Sequence, residues 1–200
     1  MEKKKKVLLI NAHLTYPNWS EGNLNNSFIE VAKHFFTANN YEILETVIEK
    51  EYNPDEEVRK HLEADIVILQ TPINWFGAPW IYKKYIDEVF NSGLHSQKFL
   101  SGDGRTREDS SKQYGTGGKM QGKQFMICAT WNAPEQAFGN IDQTLLQGKT
   151  TSDLFLNISS NYRFCGVDIL PDYNCFDIYK SETIKKDLEN YPAHLSKIFS

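Results

Sequence analysis

Three short stretches of this sequence carry residue types suited to holding a flat ring and a phosphate. The first is Thr71-Pro72-Ile73-Asn74-Trp75-Phe76-Gly77-Ala78-Pro79-Trp80. Its prolines stiffen the loop, and Gly77 lets backbone approach a partner closely. A rigid loop offering backbone N–H groups and an indole suits a heteroaromatic ring, although a well-packed turn between strand and helix would read the same way. The second, Thr130-Trp131-Asn132-Ala133-Pro134, has the same mixture of small, amide and aromatic residues ahead of a proline. The third, Ser20-Glu21-Gly22-Asn23-Leu24-Asn25, runs into an apolar periodic segment. A helix that starts there presents free N–H groups and the positive end of its dipole, which suits a phosphate. An ordinary capped loop fits that segment equally well.

Other chemistries find no support. The histidines His13, His34, His61, His95 and His194 form neither an H-E-x-x-H pair nor a Cys/His cluster, so no metal site is expected. Cys128, Cys165 and Cys175 are too few and too scattered for a disulfide framework. No G-x-S-x-G elbow is present. Gly117 and Gly122-Lys123 satisfy part of a P-loop, but Gln124 replaces its Ser or Thr and the segment precedes a strand. A site without its own nucleophile or metal leaves the chemistry to a cofactor.

The elements that must position these stretches alternate. Val7 to Ile10, Tyr41 to Ile48, Ile66 to Leu69 and Gln124 to Thr130 read as strands, with a fifth within residues 163–170. Between them, Leu24, Phe28, Val31 and Phe35 mark one amphipathic helix, and Pro54-Asp55 opens a short second one. Pro79 fits the first turn of a third, running to about Phe90. A fourth is expected around residues 136–146. Ser181 is placed to cap a last helix that Pro192 should kink or break. Such β-α alternation predicts an α/β fold, a doubly wound five-stranded parallel sheet with helices on both faces. In such sheets ligands sit beyond the carboxyl ends of the strands, which is where all three stretches fall.

The chain of 200 residues is read as one domain, with residues 92–122 as a polar, Gly-rich insertion too long for an ordinary connection. Loops of that length are usually functional or lie at interfaces. A net charge of −4 argues against nucleic acid as a partner, because phosphate backbones need a basic surface. The lysine-rich start precedes only four apolar residues, too few for a secretory segment, and no run is long enough to span a membrane. A cytoplasmic location is expected.

In their order and spacing, several stretches resemble the flavodoxin-like NAD(P)H:quinone oxidoreductases, and within them the bacterial modulator of drug activity B type. These are Ser20 to Asn25, Gly77-Ala78-Pro79-Trp80 with Lys83-Lys84-Tyr85-Ile86-Asp87, and Gly102-Asp103-Gly104-Arg105-Thr106-Arg107. They continue with Lys112-Gln113-Tyr114-Gly115-Thr116-Gly117-Gly118 and Thr130 to Pro134. The resemblance implies a flavodoxin-like fold, FAD as cofactor, NADPH or NADH as electron donor, a quinone acceptor and a homodimer with sites between subunits. By matching motif, Ser20, Gly22, Asn23, Leu24, Asn25 and Ser27 would hold the phosphates and adenosine side. Pro72, Ile73, Asn74, Trp75 and Phe76 would meet the isoalloxazine, and Thr130, Trp131, Asn132 and Ala133 would complete the ring site. Tyr114 would reach the flavin region of the partner subunit. The chain departs from the pattern at Ile73-Asn74 and has extra residues at Thr15-Tyr16-Pro17, which bears on acceptor preference. A flavin azo- or nitro-reductase, a non-enzymatic flavodoxin-like electron carrier and a flavin-free interaction protein are the competing readings.

Overall fold

In the computed structural model, which describes residues 4–199, the strands alternate buried side chains between two layers. In β1 (Lys6–Asn11) Leu8 and Ile10 face one core while Val7 and Leu9 face the other. Strand β3 (Ile66–Pro72) divides in the same way, Val67 and Leu69 against Ile66 and Ile68. So does β4 (Gln124–Thr130), with Phe125 and Ile127 opposed to Met126 and Cys128. Unbroken apolar runs of this kind are what a parallel sheet covered on both faces requires.

The first core is closed by α2 (Pro54–Glu63), α3 (Trp80–His95) and α5 (Leu156–Phe164). The second is closed by α1 (Asn23–Ala38) and α6 (Ile184–Phe199), which pack on each other. Strand β2 (Glu42–Val47) forms one edge, half-buried and with charged residues, as an edge demands. The order is β2-β1-β3-β4-β5, all parallel, where β5 is Asp168–Ile169. The direction of winding reverses between β1 and β3, which makes the crevice above them the switch point.

Five local expectations are corrected or refined. The fifth strand position is shared: β5 pairs with Gln124 and Phe125, and β6 (Tyr173–Cys175) pairs with Cys128 to Thr130 along the same edge of β4. No helix spans residues 136–146. A short 3₁₀ turn (Glu135–Ala137) gives way to a closed loop in which Gly139 N–H donates to the Lys149 carbonyl, and the Gln143 side chain accepts from the Leu145 and Leu146 N–H groups. Side-chain acceptors here take the donors a helix would use. The helical turns come later, in α4 (Thr151–Leu154), opened by a Thr150–Asp153 capping box, and in α5. Ser181 does not cap α6. Its Oγ accepts from the Thr183 N–H at 3.0 Å, and the helix begins at Ile184. Of the kink or break expected at Pro192, the break does not occur: α6 continues through it, with Tyr191 and Leu195 buried in the core shared with α1. Similarly, α3 starts one residue after Pro79 and continues to His95, so residues 92–95 of the expected insertion are helical.

The rest of that insertion is tied down at the amino-terminal edge of the sheet. Lys119 N–H donates to Phe99 O, Met120 N–H to Cys165 O, and Gly118 lies against the Cys165 backbone, leaving no room for a Cβ. Phe99, Leu100 and Met120 are buried in the core shared with α3 and α5.

Candidate functional site

Backbone hydrogen bonds join the loops beyond the carboxyl ends of three adjacent strands into one rim. Ala12 N–H, just past β1, donates to Gln70 O in β3 at 2.9 Å, and Ile73 N–H, just past β3, donates to Thr130 O at the end of β4 at 2.9 Å, so each loop leaves the sheet tied to the neighbouring strand. The start of α1 is locked to the same rim by amides. Asn25 Nδ2 donates to Asn11 Oδ1 (2.6 Å), Asn11 Nδ2 to Asn26 Oδ1 (2.8 Å) and Gln70 Nε2 to Asn25 Oδ1 (2.9 Å). Asn11 and Gln70 are register partners in the sheet. This buried network sets the position of the first helical turn to the strand ends.

That first turn is left open. Gly22 occupies the N-cap with φ 82°, and no side chain caps the helix. Asn26 is the first residue whose N–H reaches back into the turn, to Gly22 O at 2.8 Å. The N–H groups of Asn23, Leu24 and Asn25 are therefore without an intrahelical acceptor, and no acidic side chain sits in the first turn to oppose an anion. The ring of His13 lies directly behind Gly22. His13 is buried, its N–H donates to Asn11 Oδ1 (3.1 Å), and its Nε2 lies 3.3 Å from Ser20 Oγ. Burial pushes the His13 imidazolium pKa down, so at neutral pH the ring is uncharged, and the seat attracts anions through N–H groups and dipole.

The loop after β3 turns tightly at Asn74–Gly77, whose backbones exchange hydrogen bonds of 2.8 and 3.2 Å. The two central residues, Trp75 (φ 52°) and Phe76 (φ 67°), both adopt the left-handed conformation that glycine or asparagine normally fills. The turn thereby holds two aromatics outward. Trp75 is 95% exposed, Phe76 44% and Trp80 63%. Large side chains held outward on strained backbone are not stabilising the core, and such strain gathers at functional sites.

Trp131 differs from Trp75. It is 2% exposed, its Nε1 donates to Asn174 Oδ1 (2.8 Å), and it packs on Phe138 and Phe155 with ring centroids 4.9 and 5.4 Å away. Its N–H and carbonyl are bonded to Cys175 and Ile178. Trp131 anchors the loop from behind, leaving Asn132 exposed and Ala133 half-buried at the rim. Asn25 likewise uses its side chain inside the protein and has its N–H left for a ligand. Ser27 lies in the second turn of α1, its Oγ donating to Asn23 O at 2.9 Å.

The structure brings Ser20 to Asn25, Pro72 to Phe76 and Thr130 to Ala133 to one edge of the sheet. It does not bring Tyr114 there. Tyr114 packs on Phe164 (centroids 5.2 Å apart) beneath the Arg105 guanidinium (5.3 Å), in the insertion at the opposite edge. His13 and Gln70 are site residues that sequence reasoning left out. The available signal was a polar residue at the carboxyl end of each central strand. Among the described residues, no group of three or more His, Cys, Asp or Glu could hold a metal ion, and no helix is long and apolar enough to cross a membrane.

Comparison with known proteins shows the family. A family model described as flavodoxin-like fold matches residues 5–198. The NADPH:quinone oxidoreductase MdaB of Haemophilus influenzae is 39% identical over 180 residues, covering 90% of this chain and 92% of that protein. A Klebsiella pneumoniae structure, provisionally assigned as a quinone reductase, superposes with a TM-score of 0.78 at 19% identity, over 98% of this chain and 86% of that one. The general stress protein 14 of Treponema denticola, solved in complex with FMN, superposes with a TM-score of 0.65 at 16% identity, over 98% and 99% of the two chains.

Proposed function

We propose that this chain, which belongs to the flavodoxin-like family and shares it with the quinone oxidoreductase MdaB, is a FAD-dependent NAD(P)H:quinone oxidoreductase. It works as a single domain within a homodimer, reducing quinones by two electrons with NADPH or NADH as donor. The observation that carries this reading is the uncapped start of α1, locked beside two ring-presenting loops along one sheet edge. The relative's activity supports it, because 39% identity spans nearly the whole of both chains.

The residues present fit a flavin. Gly22 allows close approach where a Cβ would strike His13, and three N–H groups face the place a pyrophosphate would take. Bound flavin would supply the redox chemistry, accepting hydride from the nicotinamide and delivering it to the quinone. The protein's part is binding and orientation. Asn23, Leu24 and Asn25 N–H groups hold the phosphates, with Ser20 positioned by His13 and Ser27 one turn behind. Pro72, Ile73 and Asn74 offer backbone to the ring edge, and Thr130, Asn132 and Ala133 close the other side. Trp75 and Phe76 wall the slot in which nicotinamide and acceptor take turns.

The 95% exposure of Trp75 leaves the acceptor side open to flat aromatics generally, which makes azo- or nitroaromatic reduction the second reading. A carrier without substrate would be strongly acidic and lack the insertion, whereas this chain has a net charge of −4 and keeps it.

The test is the visible spectrum of the purified protein. It should show bound flavin, bleach with NADPH under anaerobic conditions and recover on adding a quinone. Denaturation should release FAD. A colourless protein that also fails to take up added FAD sinks the proposal.

A further inference from the structure

The extra residues Thr15-Tyr16-Pro17 build a small hairpin immediately ahead of the phosphate seat. Tyr16 and Ser20 pair antiparallel, with N–H···O distances of 2.9 Å from Tyr16 to Ser20 and 2.8 Å in return. Trp19 N–H donates to Tyr16 O at 3.0 Å, closing the turn over Pro17 and Asn18. Asn18 has φ 63°, and Pro followed by Asn is the residue order that a turn with a left-handed third position favours. The stem is pinned as well. Thr15 donates through both its N–H (2.8 Å) and its Oγ1 (2.9 Å) to the two carboxylate oxygens of Glu49.

What the hairpin displays is an indole. Trp19 is 64% exposed, and the Tyr16 ring stands behind it with centroids 5.3 Å apart. Such a face, fixed in place but left in water, gains nothing for the fold and is suited to stacking a planar group. Only Ser20, Glu21 and Gly22 separate it from the open N–H groups of α1. The isoalloxazine loops after β3 and β4 lie on the other side of that seat, above the neighbouring strands.

We propose that Trp19, backed by Tyr16, stacks on the adenine of bound FAD and makes the site prefer FAD to FMN. The inference rests on the flavin-binding reading above and deepens it. A dinucleotide whose pyrophosphate sits at the α1 start has its isoalloxazine on the β3–β4 side and its adenosine free to reach the hairpin. A mononucleotide ends at the phosphate and leaves the hairpin untouched. Base-on-aromatic stacking is lost on alanine substitution and kept by another aromatic.

The experiment titrates the full-length apoprotein with FAD and with FMN, following quenching of flavin fluorescence. Trp19→Ala should weaken FAD binding about tenfold and leave FMN binding unchanged, and Trp19→Phe should stay within about threefold of wild type for both. Unchanged FAD affinity in Trp19→Ala, or equal losses for FAD and FMN, overturns the adenine platform. Wild-type protein that binds neither flavin removes the proposed function itself, and this inference with it.

Discussion

A Cβ added to Gly22 would stand 2.7 Å from Nδ1 and 2.8 Å from Cε1 of the His13 ring, so the end of β1 and the start of α1 meet where only glycine fits. Gly22 also has φ 82°, a conformation that an L side chain resists. Gly22→Ala should therefore cost about 1–3 kcal/mol in denaturant unfolding. It should lower FAD and FMN affinity together by at least about tenfold, because displacing the helix start moves the N–H groups. Unaltered affinity for both would mean the phosphate does not sit there.

The two tryptophans of the ring loops should separate function from stability. Trp75→Ala removes a 95% exposed side chain and should shift unfolding free energy by no more than about 0.5 kcal/mol. Quinone turnover or flavin retention should fall several-fold. Trp131→Ala removes a buried anchor and should cost about 3–5 kcal/mol. Early melting of the Trp75 variant with normal turnover per folded molecule would reverse the assignment.

His61 carries a proton-linked part of the stability. It is wholly buried, with Nδ1 2.9 Å from Glu57 O and the Tyr162 ring stacked 6.0 Å away, and burial lowers its pKa to about 4. Because the folded value lies below the unfolded one, the unfolded chain takes up the proton first as pH falls. This contribution is complete above about pH 6.5 and is lost toward pH 4, a change of at most about 3 kcal/mol. In His61→Phe the stability difference between pH 7 and pH 4.5 should shrink. An unchanged slope across that interval would show that His61 does not titrate with folding.

Steady-state kinetics should give parallel double-reciprocal lines for NADPH and quinone, since one slot walled by Trp75 and Phe76 is visited in turn. Intersecting lines would require both substrates to bind together and would call for a second slot.

Tyr114 tests the homodimer. It lies at the amino-terminal edge of the sheet, against Phe164 and away from its own crevice, so any contact with flavin must be made in the partner subunit. If it makes one, flavin binding and dimerisation are linked. Dilution should release FAD from wild type, added FAD should favour the dimer in sedimentation, and Tyr114→Ala should lose FAD at higher protein concentration. An active, flavin-loaded monomer at assay concentration would refute the shared site.

By itself the sequence determined the layered fold and the edge of the sheet at which the candidate site residues gather. Apolar runs such as Val7 to Ile10 and Ile66 to Leu69 are local signals, because a strand buried on both faces needs them whatever surrounds it. The polar and aromatic residues that follow those runs then fall at the strand ends by chain direction alone. Tertiary structure decided what depends on distant partners. The segment around Asn157 to Asn161 is a poor intrinsic helix former, yet Ile158 and Tyr162 are buried and hold it helical as α5. The Gln143 side chain withdrew donors from the helix expected at residues 136–146. Trp75 and Trp131 read alike in sequence, and only the packing of Phe138, Phe155 and Asn174 around one of them made it an anchor while the left-handed turn held the other in solvent. The Gly22–His13 contact and the amides of Asn11, Asn25 and Gln70 join residues up to 45 positions apart, a proximity that no local pattern encodes because the crossing of β1, α1 and β3 creates it.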